Sequence, residues 1–409
     1  MNHQFALRGR IVTADSVIDD GVIRVDHGVI ASIVDVDSHE LSDQEREQLR
    51  ELPRSAGTFL PGLVDVHCHG GGGASFANFS TLDEARRVTA EHLAHGTTTL
   101  VASLVTAPID DLVSRAKALA ELADEGTIAG IHFEGPFISP HRCGAQDPAY
   151  VCAPDVEQAR QLLAAARGHA VSMTLAPEIP GAYGGGSVVE ELVRSGVVPS
   201  WGHTDASDHH ARAAMDFAQQ MREQSVDSRG GGRGVASTVT HLFNGMRPLH
   251  QRDPGPIAEF LSDAARGGVM CEMICDGIHV KPSLVRDVYE IVGRDHCVFI
   301  TDATAAAGMP DGSYVLGTVS VTVENGVARL TRGGTMAGGT SHLLECVRTA
   351  VEKAGIPLVD AVFMASMQGA RILGSASIGA LEAGRAADIV CVAHDWSVEG
   401  VWKNGKAVA

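Results

Sequence analysis

The sequence predicts a (β/α)8 TIM-like barrel carrying a small β-sandwich domain formed from the N- and C-terminal segments. Three observations predict it. Short apolar strand candidates alternate with helical patterns through the middle of the chain, the signature of parallel βα units. Ionisable residues gather at the C-terminal ends of those strands, where barrel enzymes keep their chemistry. The two chain ends share a different texture, short β-rich segments broken by turn dipeptides. A chain of 409 residues suits a large barrel with an appendage, and 44% hydrophobic residues support a sizeable core.

Taken in order, residues 4 to 36 read "QFALRGRIVTADSVIDDGVIRVDHGVIASIVDV", with Asp-Gly and His-Gly turns between strand-like runs. The same texture returns in "GRAADIVCVAHDWSVEGVWKNGKAV", where Asn404 and Gly405 signal a hairpin. We therefore expect residues 1–57 and 376–409 to form one discontinuous β domain around a barrel at 58–375. The barrel strands are "LVDVHCH", "TTTLVAS", "IAGIHFE", "VSMTLAP", "VVPSWGH", "TVTHLFN", "MCEMICD" and "CVFITDA". A β-hairpin excursion is expected near 313–333, around Asn325 and Gly326. The polar, glycine-rich run at 218–237 reads as a solvated connector, and the four glycines at 70–73 as loop backbone beside the first strand.

Composition excludes several function classes. A net charge of −18 argues against nucleic acid or an anionic membrane as the main partner. The opening "MNHQFALRGR" lacks the apolar core of a signal peptide, and no apolar run approaches a membrane span, so a cytoplasmic enzyme is expected. The eight cysteines form no spacing framework, and those in "MCEMIC" and "HCVFIT" sit in strand-like runs, which suggests reduced core thiols.

The stretch "VDVHCHG" carries the first chemical signal. Side chains alternate along a strand, so His67 and His69 project from one face while Val66 and Cys68 take the other. The pair alone leaves metal ligation and two hydrogen-bonded histidines both open. Glu134, His203, His241, His279 and Asp302 then lie at or near the C-terminal ends of later strands. Three carboxylate and imidazole groups meeting at a barrel mouth are costly to desolvate without a cation, which favours metal.

Taken together, "PGLVDVHCHG", "HFEGPF", "GHTDA", "THLFNGM", "CDGIHV" and "TDATAAAG" resemble the amidohydrolase superfamily, specifically its N-acetylglucosamine-6-phosphate deacetylases, over nearly the whole chain. The resemblance implies hydrolysis of the acetamide of N-acetylglucosamine 6-phosphate to glucosamine 6-phosphate and acetate. It implies one divalent ion on Glu134, His203 and His241, with an open position for water. Because this chain keeps both first-strand histidines, His67, His69 and Asp302 are expected to hold a second ion, with Glu134 bridging. Zinc is the first expectation, with iron, manganese or cobalt as alternatives. Asp302 matches the superfamily's general acid/base, and His132 is expected to act behind the ligands or in packing.

The resemblance further assigns substrate contacts to Ala145, Gln146, Asn244, Gly245, Arg252, Asp276 and His279, and to Met336, Ala337 and Gly338 in the "TMAG" loop. Arg252 matches the family's phosphate-binding arginine and implies a homodimer in which it reaches a phosphate site at the interface. Gln146 stands where many members carry histidine; its amide donates a hydrogen bond but carries no titratable proton. Two alternatives stay in view. One is a deacetylase acting on N-acetylgalactosamine 6-phosphate, which shares these motifs. The other is a non-catalytic, metal-bound barrel scaffold.

Overall fold

The computed structural model describes residues 4–229 and 234–408, without the side chains of 226–229. Eight parallel strands form the barrel, and we number them β1 (Leu63–Cys68), β2 (Thr97–Val105), β3 (Gly130–Glu134), β4 (Ala170–Leu175), β5 (Val198–Trp201), β6 (Thr238–Val239), β7 (Met270–Ile274) and β8 (Cys297–Ile300). Each pairs in parallel with its sequence neighbour. Closure from β8 back to β1 comes just beyond the strand ends: Asp302 N–H donates to the His67 carbonyl at 2.9 Å, and His69 N–H to the Ala303 carbonyl at 2.8 Å. Buried Asp65 pins the same seam by accepting from the Thr301 hydroxyl at 2.6 Å, and burial pushes its carboxyl up to about 6.

Alternation along the strands sorts their side chains into two environments. In β3, Phe133 packs outward into the apolar cluster shared with the surrounding helices, alongside Trp201, Met273 and Phe299, while His132 and Glu134 face the barrel interior. That interior is polar beneath the barrel mouth. A chain of hydrogen bonds passes from Ser103 to His132, Thr174, Thr240, Ser200, Thr238 and Glu272, and ends on His67. Every member is buried, so each bond satisfies a group that would otherwise lose its water unpaired.

The β-sandwich expected at the chain ends takes the form of one seven-stranded sheet. Gln4–Val12, Val17–Asp26, Val29–Asp35, Arg54–Pro61, Ile389–Val392, Val398–Lys403 and Lys406–Ala407 all belong to it, so both termini share it and Arg54–Pro61 runs across the expected 57/58 boundary. Ile11, Ile23, Ile30, Phe59 and Ile389 meet in one cluster on this sheet, while Val12, Leu60, Val390 and Val401 join the large cluster of the barrel. The excursion after β8 is a three-stranded antiparallel sheet, Gly312–Leu316, Val319–Glu324 and Val327–Leu330. The glycines at 70–73 make a short hairpin against Ala74–Ser75 beside the first strand.

One reading needs correction. The run 218–237, expected as a solvated connector, is helical up to Arg229 as the end of Asp208–Arg229. Ala211, Ala214, Met215 and Ala218 bury one face of that helix, and the polar stretch beyond them is rich in good helix formers. Residues 230–233 of the same run lie outside the described residues. Among the described residues no helix is long and apolar enough to cross a membrane. All eight cysteines are free thiols, and Cys68, Cys271, Cys275, Cys297, Cys346 and Cys391 are buried.

Candidate metal centre

The strand ends bring the expected ligands together in two adjoining groups. Glu134, His203 and His241 form one, and His67, His69 and Asp302 the other; within each group the candidate ligand atoms lie within 4.8 Å of one another. Glu134 joins them. Its Oε1 lies 3.0 Å from His203 Nε2 and 2.8 Å from His241 Nε2, while its Oε2 lies 3.0 Å from His69 Nε2. Asp302 Oδ1 stands 3.2 Å from His69 Nε2 and 3.5 Å from His67 Nε2.

Hydrogen bonds at the far side of the rings set which nitrogen faces the centre. His203 Nδ1 donates to the Arg142 carbonyl at 2.8 Å, His69 Nδ1 to the Ser103 carbonyl at 3.1 Å, and His67 Nδ1 to Glu272 Oε2 at 3.2 Å. Each bond leaves Nε2 with its lone pair directed inward, as metal-binding histidines require. His67 and His69 then bring two Nε2 atoms within 3.2 Å, an arrangement that two lone pairs sustain only around a shared proton or a cation. His241 Nδ1 is buried without a partner. These donors suit a divalent ion of the zinc type.

The carboxylates and imidazoles also set one another's charge. Burial alone would raise Glu134, but His69, His203, His241 and His67 outweigh it and hold the carboxyl well below its ordinary range. Burial likewise opposes the charged form of Asp302, and the His69 bond reverses it, so this carboxyl also sits low. Burial would lower His67, and the Glu134, Glu272 and Asp302 carboxylates lift it well above the usual imidazole range. In His132 burial prevails, reinforced by His67, and the ring is held well below its ordinary value. His132, bonded to Ser103 and Thr174, packs edge-on against the His67 ring with centroids 4.4 Å apart.

Three of these residues leave their strands in the left-handed region: His203 has φ +47°, His241 +28° and Asp302 +49°. Non-glycine residues pay a steric cost there and hold it where the surroundings over-determine the conformation, which happens most at functional sites.

A cavity of about 130 Å3 opens over the centre. Ala145, Gln146, Asn244, Gly245, His279, Met336 and Gly338 line it with His69, Glu134, His203, His241 and Asp302. Other expected residues fall elsewhere. Asp276 does not line the cavity; its Oδ2 accepts from His279 Nδ1 at 2.6 Å, so it acts by orienting that ring. Ala337 is buried, with its N–H given to the Ala328 carbonyl. Gln146 lines the cavity, yet its amide is engaged: Nε2 donates to Glu134 Oε2 at 2.5 Å and Oε1 accepts from Thr106 N–H at 2.7 Å. Arg252 is exposed and outside this chain's cavity.

Sequence reasoning missed Glu272, although a glutamate inside the apolar run "MCEMIC" was the available signal. It also missed Gly144, beside the expected Ala145, and Leu316, which reaches the cavity from the three-stranded excursion. No local pattern marks Leu316, because tertiary folding alone brings that excursion over the barrel mouth.

A parallel barrel with paired His/carboxylate donor groups at its C-terminal mouth, an aspartate in one of them, defines the class of metal-dependent hydrolases. The chain belongs to the amidohydrolase family, whose model matches residues 58–408. It is 32% identical to the N-acetylglucosamine-6-phosphate deacetylase of Bacillus subtilis (strain 168), over 95% of this chain and 92% of that protein. It is 30% identical to the N-acetylgalactosamine-6-phosphate deacetylase of Escherichia coli O157:H7, over 99% of both. Among solved structures, N-acetyl-D-glucosamine-6-phosphate deacetylase of Mycobacterium smegmatis, a D-to-A mutant in complex with N-acetyl-D-glucosamine-6-phosphate, superposes with a TM-score of 0.86 at 36% identity, covering 99% of both chains.

Proposed function

We propose that this chain removes the acetyl group from N-acetylglucosamine 6-phosphate, giving glucosamine 6-phosphate and acetate. The observation that carries the reading is the pair of donor groups joined through Glu134, with Asp302 in one of them and a cavity above both. The chain's similarity over nearly its whole length to N-acetylglucosamine-6-phosphate deacetylases points to the substrate. An intact Asp302 and a complete donor set disfavour a non-catalytic scaffold.

Glu134, His203 and His241 would hold one ion, and His67, His69 and Asp302 a second, zinc in our reading. A bound divalent ion polarises the acetamide carbonyl and lowers the pKa of water toward neutrality. Asp302, kept ionised, accepts the proton of the attacking water. As the tetrahedral intermediate collapses, the same carboxylic acid protonates the departing amine, which is otherwise a poor leaving group. Gln146 keeps Glu134 from swinging into the cavity. His279, oriented by Asp276, retains Nε2 for a sugar hydroxyl, and Met336 and Gly338 close over the ring.

Phosphate recognition falls to Arg252. Arg247 is tied to Asp253, whereas Arg252 makes no ion pair among the described residues, and its fork suits phosphate oxygens. Its exposed position outside the cavity fits a homodimer in which it serves an interface site. The Escherichia coli relative favours a second reading, the galacto epimer. A panel of N-acetylated hexosamines with and without 6-phosphate, assayed for acetate and free amine, tests the proposal. Turnover confined to the 6-phosphates supports it, and turnover of unphosphorylated sugars alone removes the phosphate from it.

A further inference from the structure

A second set of donors meets outside the active-site cavity, where the barrel closes. Glu91 lies on the helix Leu82–Ala94 and His95 is its C-cap, one turn further on, so both leave the same helix face. His342 comes from late in the chain, as N-cap of the helix Leu343–Thr349 beyond β8. Glu91 Oε1 lies 3.0 Å from His342 Nε2 and 3.4 Å from His95 Nδ1. The two imidazoles stack face to face, with centroids 3.6 Å and planes 9° apart, so the half-exposed His95 ring has to turn out of the stack for its in-plane lone pair to meet an ion held by the other two.

We propose that Glu91, His95 and His342 bind a divalent transition-metal ion of the zinc type, fastening the helix after β1 to the first helix after β8 across the β8/β1 seam. A proton shared with Glu91 satisfies one ring nitrogen at a time; a cation takes both nitrogens and the carboxylate together. Ligand atoms about 2.0–2.1 Å from zinc in a tetrahedron lie roughly 3.3 Å from one another; the two separations from Glu91, 3.0 and 3.4 Å, bracket that value, and the two ring nitrogens lie within 4.8 Å of each other. His342 Nδ1 stands 3.3 Å from Glu345 Oε2, the carboxylate that metal-binding imidazoles usually carry on their other nitrogen. His95 Nδ1 also lies 2.8 Å from the Glu91 carbonyl, and binding exchanges that hydrogen bond for the ion.

The surroundings fit an entry point under two functional loops. The His95 side chain is 43% exposed and that of Glu91 22%, so an ion reaches them from solvent. Gly308, with φ +74°, lies so close that an added Cβ would fall 2.0 Å from Glu91 Oε1, and a Cβ on Gly72 would fall 3.3 Å from Glu91 Cβ. Those glycines belong to the loops that continue from Asp302 and His69. The ion would therefore brace both loops without sharing a ligand with the catalytic centre.

The test is zinc content after chelator stripping, reloading with excess zinc and desalting. The parent is expected to keep about one equivalent more than His95→Gln and Glu91→Gln, with the acetate-release kcat of all three alike. The His67→Gln/His69→Asn double variant should keep that extra equivalent, which separates this ion from those of the active site. Equal zinc in parent and both single variants overturns the proposal. Anomalous scattering at the zinc edge from zinc-soaked parent crystals needs no variant to fold: density between Glu91, His95 and His342 supports the site, and zinc at Glu134 with none at this position overturns it.

Discussion

Replacing Glu272 with Gln removes the carboxylate behind His67 while keeping the side chain's volume. Glu272 is 4% exposed, with Oε2 3.2 Å from His67 Nδ1 and Oε1 accepting from Thr238 at 3.1 Å and Ser200 at 3.4 Å. Gln retains an acceptor for the hydroxyls, so the hydrogen-bonded chain inside the barrel largely survives. What goes is the charge-assisted bond that directs His67 Nε2 toward the centre. Loss of such a partner behind a ligand histidine typically weakens metal binding 10- to 100-fold, or about 1.4–2.8 kcal/mol. The weakening should fall on the ion held by His67, His69 and Asp302, because among the described residues the Glu272 side chain makes no hydrogen bond or ion pair with Glu134, His203 or His241. Competition with a chromophoric chelator resolves the two binding constants. Unchanged constants, or a loss confined to the Glu134 group, would refute the argument that Glu272 orients a ligand.

Other outcomes follow from the same geometry. Asp302→Asn keeps size and one oxygen, so ions on Glu134, His203 and His241 should survive while turnover drops about 10²- to 10⁴-fold; near-normal turnover with metal intact removes Asp302 from the mechanism. Arg252→Ala should raise the KM for a 6-phosphorylated substrate far more than for its unphosphorylated analogue, and equal loss on both would mark the arginine as structural. His92 is buried and pushed down to about 4 from an ordinary 6.5, so it stays neutral in the fold while the unfolded chain protonates. Its depressed value makes stability fall as pH drops from about 6.5 to about 4, by up to about 3 kcal/mol. Urea unfolding of His92→Gln across that window should show a shallower fall than the parent, and equal slopes would contradict the assignment.

Much of the site was legible because a barrel places its chemistry at one kind of position. Once β1, β3, β5, β6 and β8 were read as strands, Glu134, His203, His241 and Asp302 had to converge at one mouth, and His67 and His69 had to share a face. What stayed hidden depended on contacts between distant segments. Glu272 looked like an irregularity in an apolar strand until β7 was set opposite β1. Gln146 read as a substrate contact, and only packing against Thr106 and Glu134 shows its amide already engaged. Asp276 and His279 stood three positions apart in the motif, but which of them faces the cavity depends on the turn between them. The helix Asp208–Arg229 was missed in its second half because its buried alanines and methionine precede the polar stretch, leaving no apolar period to read there. Alternating strand patterns at the chain ends predicted β structure without specifying how many layers it forms.

The centre at the barrel mouth is proposed to cleave the acetamide of a 6-phosphorylated amino sugar. Metal-loaded enzyme given N-acetylglucosamine 6-phosphate should release acetate and glucosamine 6-phosphate in equal amounts. Stripping the metal should abolish that release, and restoring zinc should return it. Acetate release that is unaffected by removing every bound ion, or no release from this substrate by the fully metal-loaded chain, would contradict the account.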